Sequence, residues 1–105
     1  NAWVTDLHEK SPQTFIIVGG DLNDGFGSQV LEALVGNILV DPSTSIESQD
    51  RFSLINDGLA AQFDHILLSK NIPEAGFKIY HLNTINDENS QVSDHDPVVV
   101  SIPLK

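Results

Sequence analysis

Phe15-Ile16-Ile17-Val18-Gly19-Gly20-Asp21-Leu22-Asn23-Asp24-Gly25 is the stretch on which the fold turns. Phe15 to Val18 is apolar at every position and mostly β-branched, which predicts a strand buried on both faces. Gly19-Gly20 closes it, and Asp21-Leu22-Asn23-Asp24-Gly25 follows as a polar loop. Polar loops that abut buried strands are where α/β proteins often place their sites. Downstream, Ser28 is an N-cap candidate for a helix carrying Val30, Leu31, Leu34 and Val35, with Gly36-Asn37 as its C-cap. Upstream, Val4 and Leu7 with Trp3 predict the end of a helix over Asn1–Glu9, stopped by Ser11-Pro12.

The remainder reads as loops and strands. Asp41 to Asp50 is a Ser/Thr/Pro/Asp-rich surface loop. Arg51–Ile55 alternates, with Phe52 and Leu54 on one face. Asn56-Asp57-Gly58 is a turn signal, so Phe63–Leu68 is expected as the partner strand. Phe77–His81 is a strand, Asn83–Asp96 a long polar loop, and Pro97–Ile102 a last buried strand. The order α-β-α-β-β-β-β predicts an α+β or α/β fold with a largely apolar sheet.

Composition narrows the function. The chain has 105 residues, 5 Lys+Arg, 15 Asp+Glu, a net charge of −10 and 40 % hydrophobic residues. That is one domain, residues 1–105, with enough apolar content for a core. Without Cys, disulfide scaffolds, Cys-ligated zinc and Cys nucleophiles are excluded. The apolar runs are far shorter than the ~20 residues of a membrane span. The acidic balance disfavours passive binding to nucleic acid or anionic membranes, but not an enzyme that meets phosphate through a cation. The chain opens on Asn1 and has no Met, so it is expected to be processed or cut from a longer protein.

Three places concentrate chemistry: Asp21 with Asn23, Asp64 inside Phe63-Asp64-His65, and Ser93-Asp94-His95-Asp96-Pro97. Each has a plainer reading: an Asx turn, an edge-strand carboxylate facing water, and a turn that launches a strand. His8, His65 and His81 are expected to face solvent. Taken together, the three places hold Asp plus His, the minimum for a base oriented by a carboxylate. They also offer two carboxylates and an amide oxygen, a hard-oxygen set suited to Mg²⁺. These residue types argue for phosphoester hydrolysis.

Gly20-Asp21-Leu22-Asn23-Asp24, Phe63-Asp64-His65-Ile66 and Ser93-Asp94-His95-Asp96-Pro97 resemble, in order and placement, the C-terminal motifs of the endonuclease/exonuclease/phosphatase superfamily, the DNase I-like fold. Phe63–Ser69 and Ser93–Val100 are similar to its bacterial extracellular nuclease branch. The resemblance spans Phe15 to Ile102. It implies half of a four-layer α/β sandwich, one mixed sheet with flanking helices, with the N-terminal half of the domain absent. It also implies His95 as general base or phosphate donor, Asp64 as its orienter, and Asp21 at the attacking water or leaving group. Asn23 would donate to the phosphoryl oxygen, and Asp94 would bind metal or tune its neighbour. For Asp24 and Asp96 loop solvation is expected, and His65 and Ser93 have no clear duty.

The implied cofactor is Mg²⁺, with Mn²⁺ or Ca²⁺ as alternatives, and the implied location is extracellular or periplasmic. The family's upstream motifs, with the Asn and Glu that hold the principal metal, have no counterpart before Asp21. The isolated chain is therefore expected to be inactive and prone to self-association through an exposed sheet face. The substrate is expected to be nucleic acid, with sphingomyelin or inositol phosphates as alternatives. The competing classes are a non-catalytic Ca²⁺ module using Asp87, Glu88, Asp94 and Asp96, and a degenerate member serving as a scaffold.

Overall fold

The computed structural model of the chain describes residues 2–103. Helix α1 runs Ala2–Lys10, so the expected helix is there, and its first residue, Asn1, lies outside the described residues. It buries Val4 and stops before Pro12, with Ser11 N–H closing on Leu7 O at 3.0 Å. Helix α2 runs Gln29–Val35. Ser28 caps it as expected: its backbone is extended, and its hydroxyl accepts from Leu31 N at 3.1 Å. Gly36 ends it at φ 53°, where its N–H returns to Glu32 O.

Strand β1 spans Ile17–Asp21, longer at its C-terminal end than the apolar run predicts, because the backbone ladder continues through Gly19 and Gly20. The other strands are β2 Leu39–Val40, β3 Leu54–Asn56, β4 Leu59–Ala61, β5 Asp64–Ser69, β6 Gly76–Ile79 and β7 Val98–Ser101. They form three small sheets, β1-β5-β2, β3-β4 and β6-β7, and every described pairing is antiparallel. The fold is α+β, and the expectation of one mixed sheet is corrected.

The turn at Asn56-Asp57-Gly58 explains part of that difference. Asp57 and Gly58 both have positive φ, 50° and 77°, the two-residue hairpin geometry that matches strand twist. So tight a turn returns the chain at once into β4, which becomes the partner of β3. The segment predicted as that partner, Phe63–Leu68, supplies β5 and pairs instead with β1 and β2. The 41–50 stretch is also more ordered than a plain loop. It forms two short 3₁₀ turns, Pro42–Ser45 and Ser48–Asp50, and Ser43 is fully buried.

Strand register sorts the central sheet into two faces. Val18 beside Leu67 joins Val4, Ile16, Leu31 and Leu39 in the core under the helices. Ile17, Gly19 and Asp21 lie beside Leu68, Ile66 and Asp64 on the opposite face. The expectation that the first and last strands are buried on both faces does not hold within the chain. Ile17 is 51 % exposed, and β7 alternates between half-buried and exposed positions. The helices cover one face only, and an apolar sequence records a demand for cover without saying what supplies it. No described helix is long and apolar enough to cross a membrane.

Candidate active site

Asp21 ends β1 and Asp64 begins β5, and the register places them directly opposite each other. Residues opposite one another in a ladder share a face. Gly20, at φ 152°, precedes Asp21 in a conformation that a side chain would strain. Leu22 N–H extends the pairing to Phe63 O at 2.8 Å. Asn23 then turns the chain at φ 51°, and its N–H donates to Asp21 Oδ1 at 2.9 Å. The Asx turn expected of this loop is therefore real, and it holds one oxygen of Asp21 in place. The Asn23 residue is exposed.

His95 arrives from the far end of the long 83–96 loop. Its Nδ1–H donates to Asp64 Oδ2 at 2.6 Å, a charge-assisted distance. The bond raises the His95 pKa above the ordinary 6.5. Partial burial opposes the rise, and the negative charges of Asp64, Asp94 and Asp21 add to it. With Nδ1 committed to the carboxylate, the neutral ring presents the lone pair of Nε2. Ser93, whose role the sequence leaves open, accepts His95 N–H on its hydroxyl at 3.1 Å.

Two supports have roles that the sequence does not reveal. Ser53, fully buried, donates its hydroxyl to Asp64 Oδ2 at 2.7 Å, and its carbonyl accepts Asp96 N–H at 2.6 Å. Asp96 is 3 % exposed, so the expected loop solvation is corrected. Its Oδ1 accepts the N–H groups of Asn83 and Thr84 at 2.9 and 3.0 Å. Its Oδ2 accepts the Thr84 hydroxyl at 2.6 Å and His81 Nδ1 at 2.9 Å. Asn83 Nδ2 also donates to His95 O at 2.7 Å. One carboxylate thus ties the start of the loop to its end, one residue from His95. Burial works against the charge of Asp96, but these donors outweigh it and hold its pKa below the ordinary value.

The other histidines also depart from expectation. His81 is stacked on Phe52 at 4.0 Å and bonded to Asp96. His65 is fully buried on the helix side, where Nε2–H donates to Asp24 O at 2.8 Å and Nδ1 lies 3.9 Å from Asp41 Oδ2. His65 therefore braces the loop after β1 from beneath. Asp24 is half-buried, and its Oδ1 accepts the N–H of the adjacent Gly25 at 2.9 Å. His8 is half-buried. For His65 and His81 the partners are distant in sequence, and composition near the histidine carries no trace of them.

Asp21, Asp64 and His95 offer ligand atoms within 4.8 Å of one another. The Asx turn takes Asp21 Oδ1, and the two bonds to Asp64 take Oδ2. Asp21 Oδ2 and Asp64 Oδ1 are the oxygens suited to a hard cation, a donor set that fits Mg²⁺ keeping several waters. Asp94 is not in this cluster. It lines a separate polar cavity of about 270 Å³ with Asn56, Asp57 and Glu88. The oxygens of Asp96 are occupied, and Asp87 Oδ1 caps the N–H groups of Asn89 and Ser90. The four acidic residues expected for a Ca²⁺ module therefore do not converge among the described residues. No protein-family model matches the chain, and no curated protein or solved structure matches it either.

Proposed function

We propose that this chain carries the general-base end of a metal-dependent phosphodiesterase site of the endonuclease/exonuclease/phosphatase type. The observation that carries the reading is the convergence of three distant motifs. His95 Nδ1 bonds Asp64 Oδ2 at 2.6 Å, and Asp21 lies within the same 4.8 Å cluster. In this reading the chain is the C-terminal part of a DNase I-like sandwich. The apolar face carrying the exposed Ile17 is the surface that a second sheet would cover.

Each residue then has a defined task. His95 Nε2 takes a proton from the attacking water as the new P–O bond forms and the ester P–O bond breaks. Asp64 holds the ring in the Nδ1–H tautomer and stabilises the imidazolium that results. Asp21 orients the water or assists the leaving oxygen, and the Asn23 amide donates to a phosphoryl oxygen as charge develops there. Mg²⁺, when bound at Asp21 and Asp64, supplies charge neutralisation for the phosphate.

The preferred substrate is nucleic acid, with other phosphodiesters as alternatives. The chain itself supplies little cationic surface. Lys10 pairs with Asp6 at 2.9 Å, and Arg51 lies over Phe26 while donating to Ser43 O and Ile46 O. Lys70 and Lys78 remain exposed; Lys70 follows β5 at the end away from the Asp21–Asp64 pairing, and Lys78 lies in β6.

Plasmid nicking with Mg²⁺ or Mn²⁺ tests the proposal, run on this chain and on one extended upstream, with chelator and His95→Ala controls. Metal-dependent cleavage by the extended chain that disappears in His95→Ala is the expected result. If the folded extended chain cleaves neither plasmid, RNA nor bis(p-nitrophenyl) phosphate, the proposal fails.

A further inference from the structure

We propose that Ser53 is the positioning residue of the Asp64–His95 pair, its hydroxyl orienting the carboxylate and its carbonyl holding the backbone beside the imidazole. Ser53 immediately precedes β3, and its N–H bonds Ala61 O at 2.9 Å. Its hydroxyl has one proton to give and two lone pairs to accept with. Phe63 N–H and Asp64 N–H both point at that oxygen, at 3.2 and 3.3 Å. Backbone N–H groups can only donate, so they occupy the lone pairs. The hydroxyl proton is thereby directed to Asp64 Oδ2 at 2.7 Å.

Oδ2 is the same oxygen that accepts His95 Nδ1–H. Two donors from different elements, converging on one oxygen, fix the plane of the carboxylate. The carbonyl acts on the other partner. It accepts Asp96 N–H at 2.6 Å, and Leu54 forms a β-bridge with His95. Both members of the pair are thus referenced to one fully buried residue. Its consequence for turnover rests on the phosphodiesterase reading above, whereas its consequence for the imidazole does not.

Ser53→Ala and Ser53→Thr separate the hydroxyl from the carbonyl, because both keep the main-chain bond to Asp96. The readout is the imidazole ¹⁵N spectrum of His95 in the folded chain, which reports the nitrogen that carries the proton in the neutral ring. The expected result is an Nδ1–H ring in the unsubstituted chain, loss of that preference in Ser53→Ala, and its retention in Ser53→Thr. Should Ser53→Ala fail to fold, Ser53→Cys, of similar size with a weak donor, is read in the same way.

An unchanged tautomer in Ser53→Ala overturns the proposal, and so does equal loss in both variants, since the hydroxyl is then not the operative group. In the extended chain the kinetic counterpart is a kcat lowered about tenfold in Ser53→Ala with KM unchanged. Absence of turnover from every form defeats the phosphodiesterase reading and leaves the tautomer result to stand alone.

Discussion

His95 Nδ1 lies 2.6 Å from Asp64 Oδ2, across 31 residues of chain. The two side chains reach that distance from different kinds of backbone, the first residue of a central strand and the end of an irregular loop. A hydrogen bond to a group on a loop is only as stable as the loop. Here Asp96 closes the loop and Ser53 holds Asp96, so the pair is preorganised rather than assembled by its own attraction.

The first prediction concerns the charge state of His95. Its raised pKa comes mainly from the Asp64 bond. A base must be neutral to accept a proton, so activity should rise with pH through a value above the ordinary 6.5. For stability the sign is opposite. The contribution of His95 is fully present below its unfolded-state pKa and is lost as pH rises through the raised folded value. Asp64→Asn should bring the His95 pKa down toward 6.5 and flatten that part of the stability profile. It should also lower kcat by roughly 10²-fold or more. Titration of the His95 ring proton by NMR checks the first effect, and urea melts across pH check the second.

A second prediction concerns the cation. Mn²⁺ added at low stoichiometry should broaden the amide signals of Asp21, Asp64 and His95 before others. Asp21→Asn should weaken the effect by about tenfold or more, because it removes one of two anionic oxygen ligands. Asp94→Ala should leave it nearly intact, since Asp94 lines a different cavity. Broadening centred on Asp57, Glu88 and Asp94 would place the metal in that cavity and contradict the assignment.

What could be read from the sequence was local. Ser28 and Gly36 act within one helical turn of their own positions, and both caps form as their residue types require. The Asp57-Gly58 turn was equally visible, but its partner strand was not. Pairing depends on how soon the chain returns, and Phe63–Leu68 is the longer segment with the bulkier apolar side chains although Leu59–Ala61 comes first. The site divides in the same way. Asp21, Asp64 and His95 stood out as acids and a base beside apolar strands, and the structure gathers them. Ser53 does not stand out, and Asp96 and His65 stand inside the motifs with no structural duty legible, because buried polar residues are explained only by partners remote in sequence. For Asp96 those partners are Asn83, Thr84 and Ser53.

A third prediction separates glycines that need their conformation from those that do not. Gly58 has φ 77° in the hairpin turn, so Gly58→Ala should cost about 1–2 kcal/mol. Gly25 has open space at its Cβ position and no positive φ, so Gly25→Ala should be within roughly 0.5 kcal/mol of neutral. Denaturant melts of both variants check the contrast. Equal costs would mean that the hairpin turn is not built as described.

The last prediction concerns acid stability and rests on Asp96. Its burial alone would favour the neutral acid. The Thr84 hydroxyl, the Thr84 and Asn83 N–H groups and His81 all donate to the ionised form, and together they hold its pKa below the ordinary 3.8. A carboxyl with a depressed folded-state pKa contributes stability above its unfolded value, and that contribution is lost as pH falls through the depressed one. Asp96→Ala should therefore destabilise the chain by roughly 2–4 kcal/mol near neutral pH, where buried donors lose a charged acceptor. The deficit should shrink below about pH 4, where the unsubstituted protein also begins to lose the contribution. Chemical denaturation at pH 7 and pH 3 measures both quantities. The same variant should increase amide exchange across residues 83–95, because the carboxylate that joins Asn83 and Thr84 to the His95 end of the loop is gone. Slow exchange there in a folded Asp96→Ala chain would show that the loop is held by something other than Asp96. The preorganisation of His95 would then need a different source.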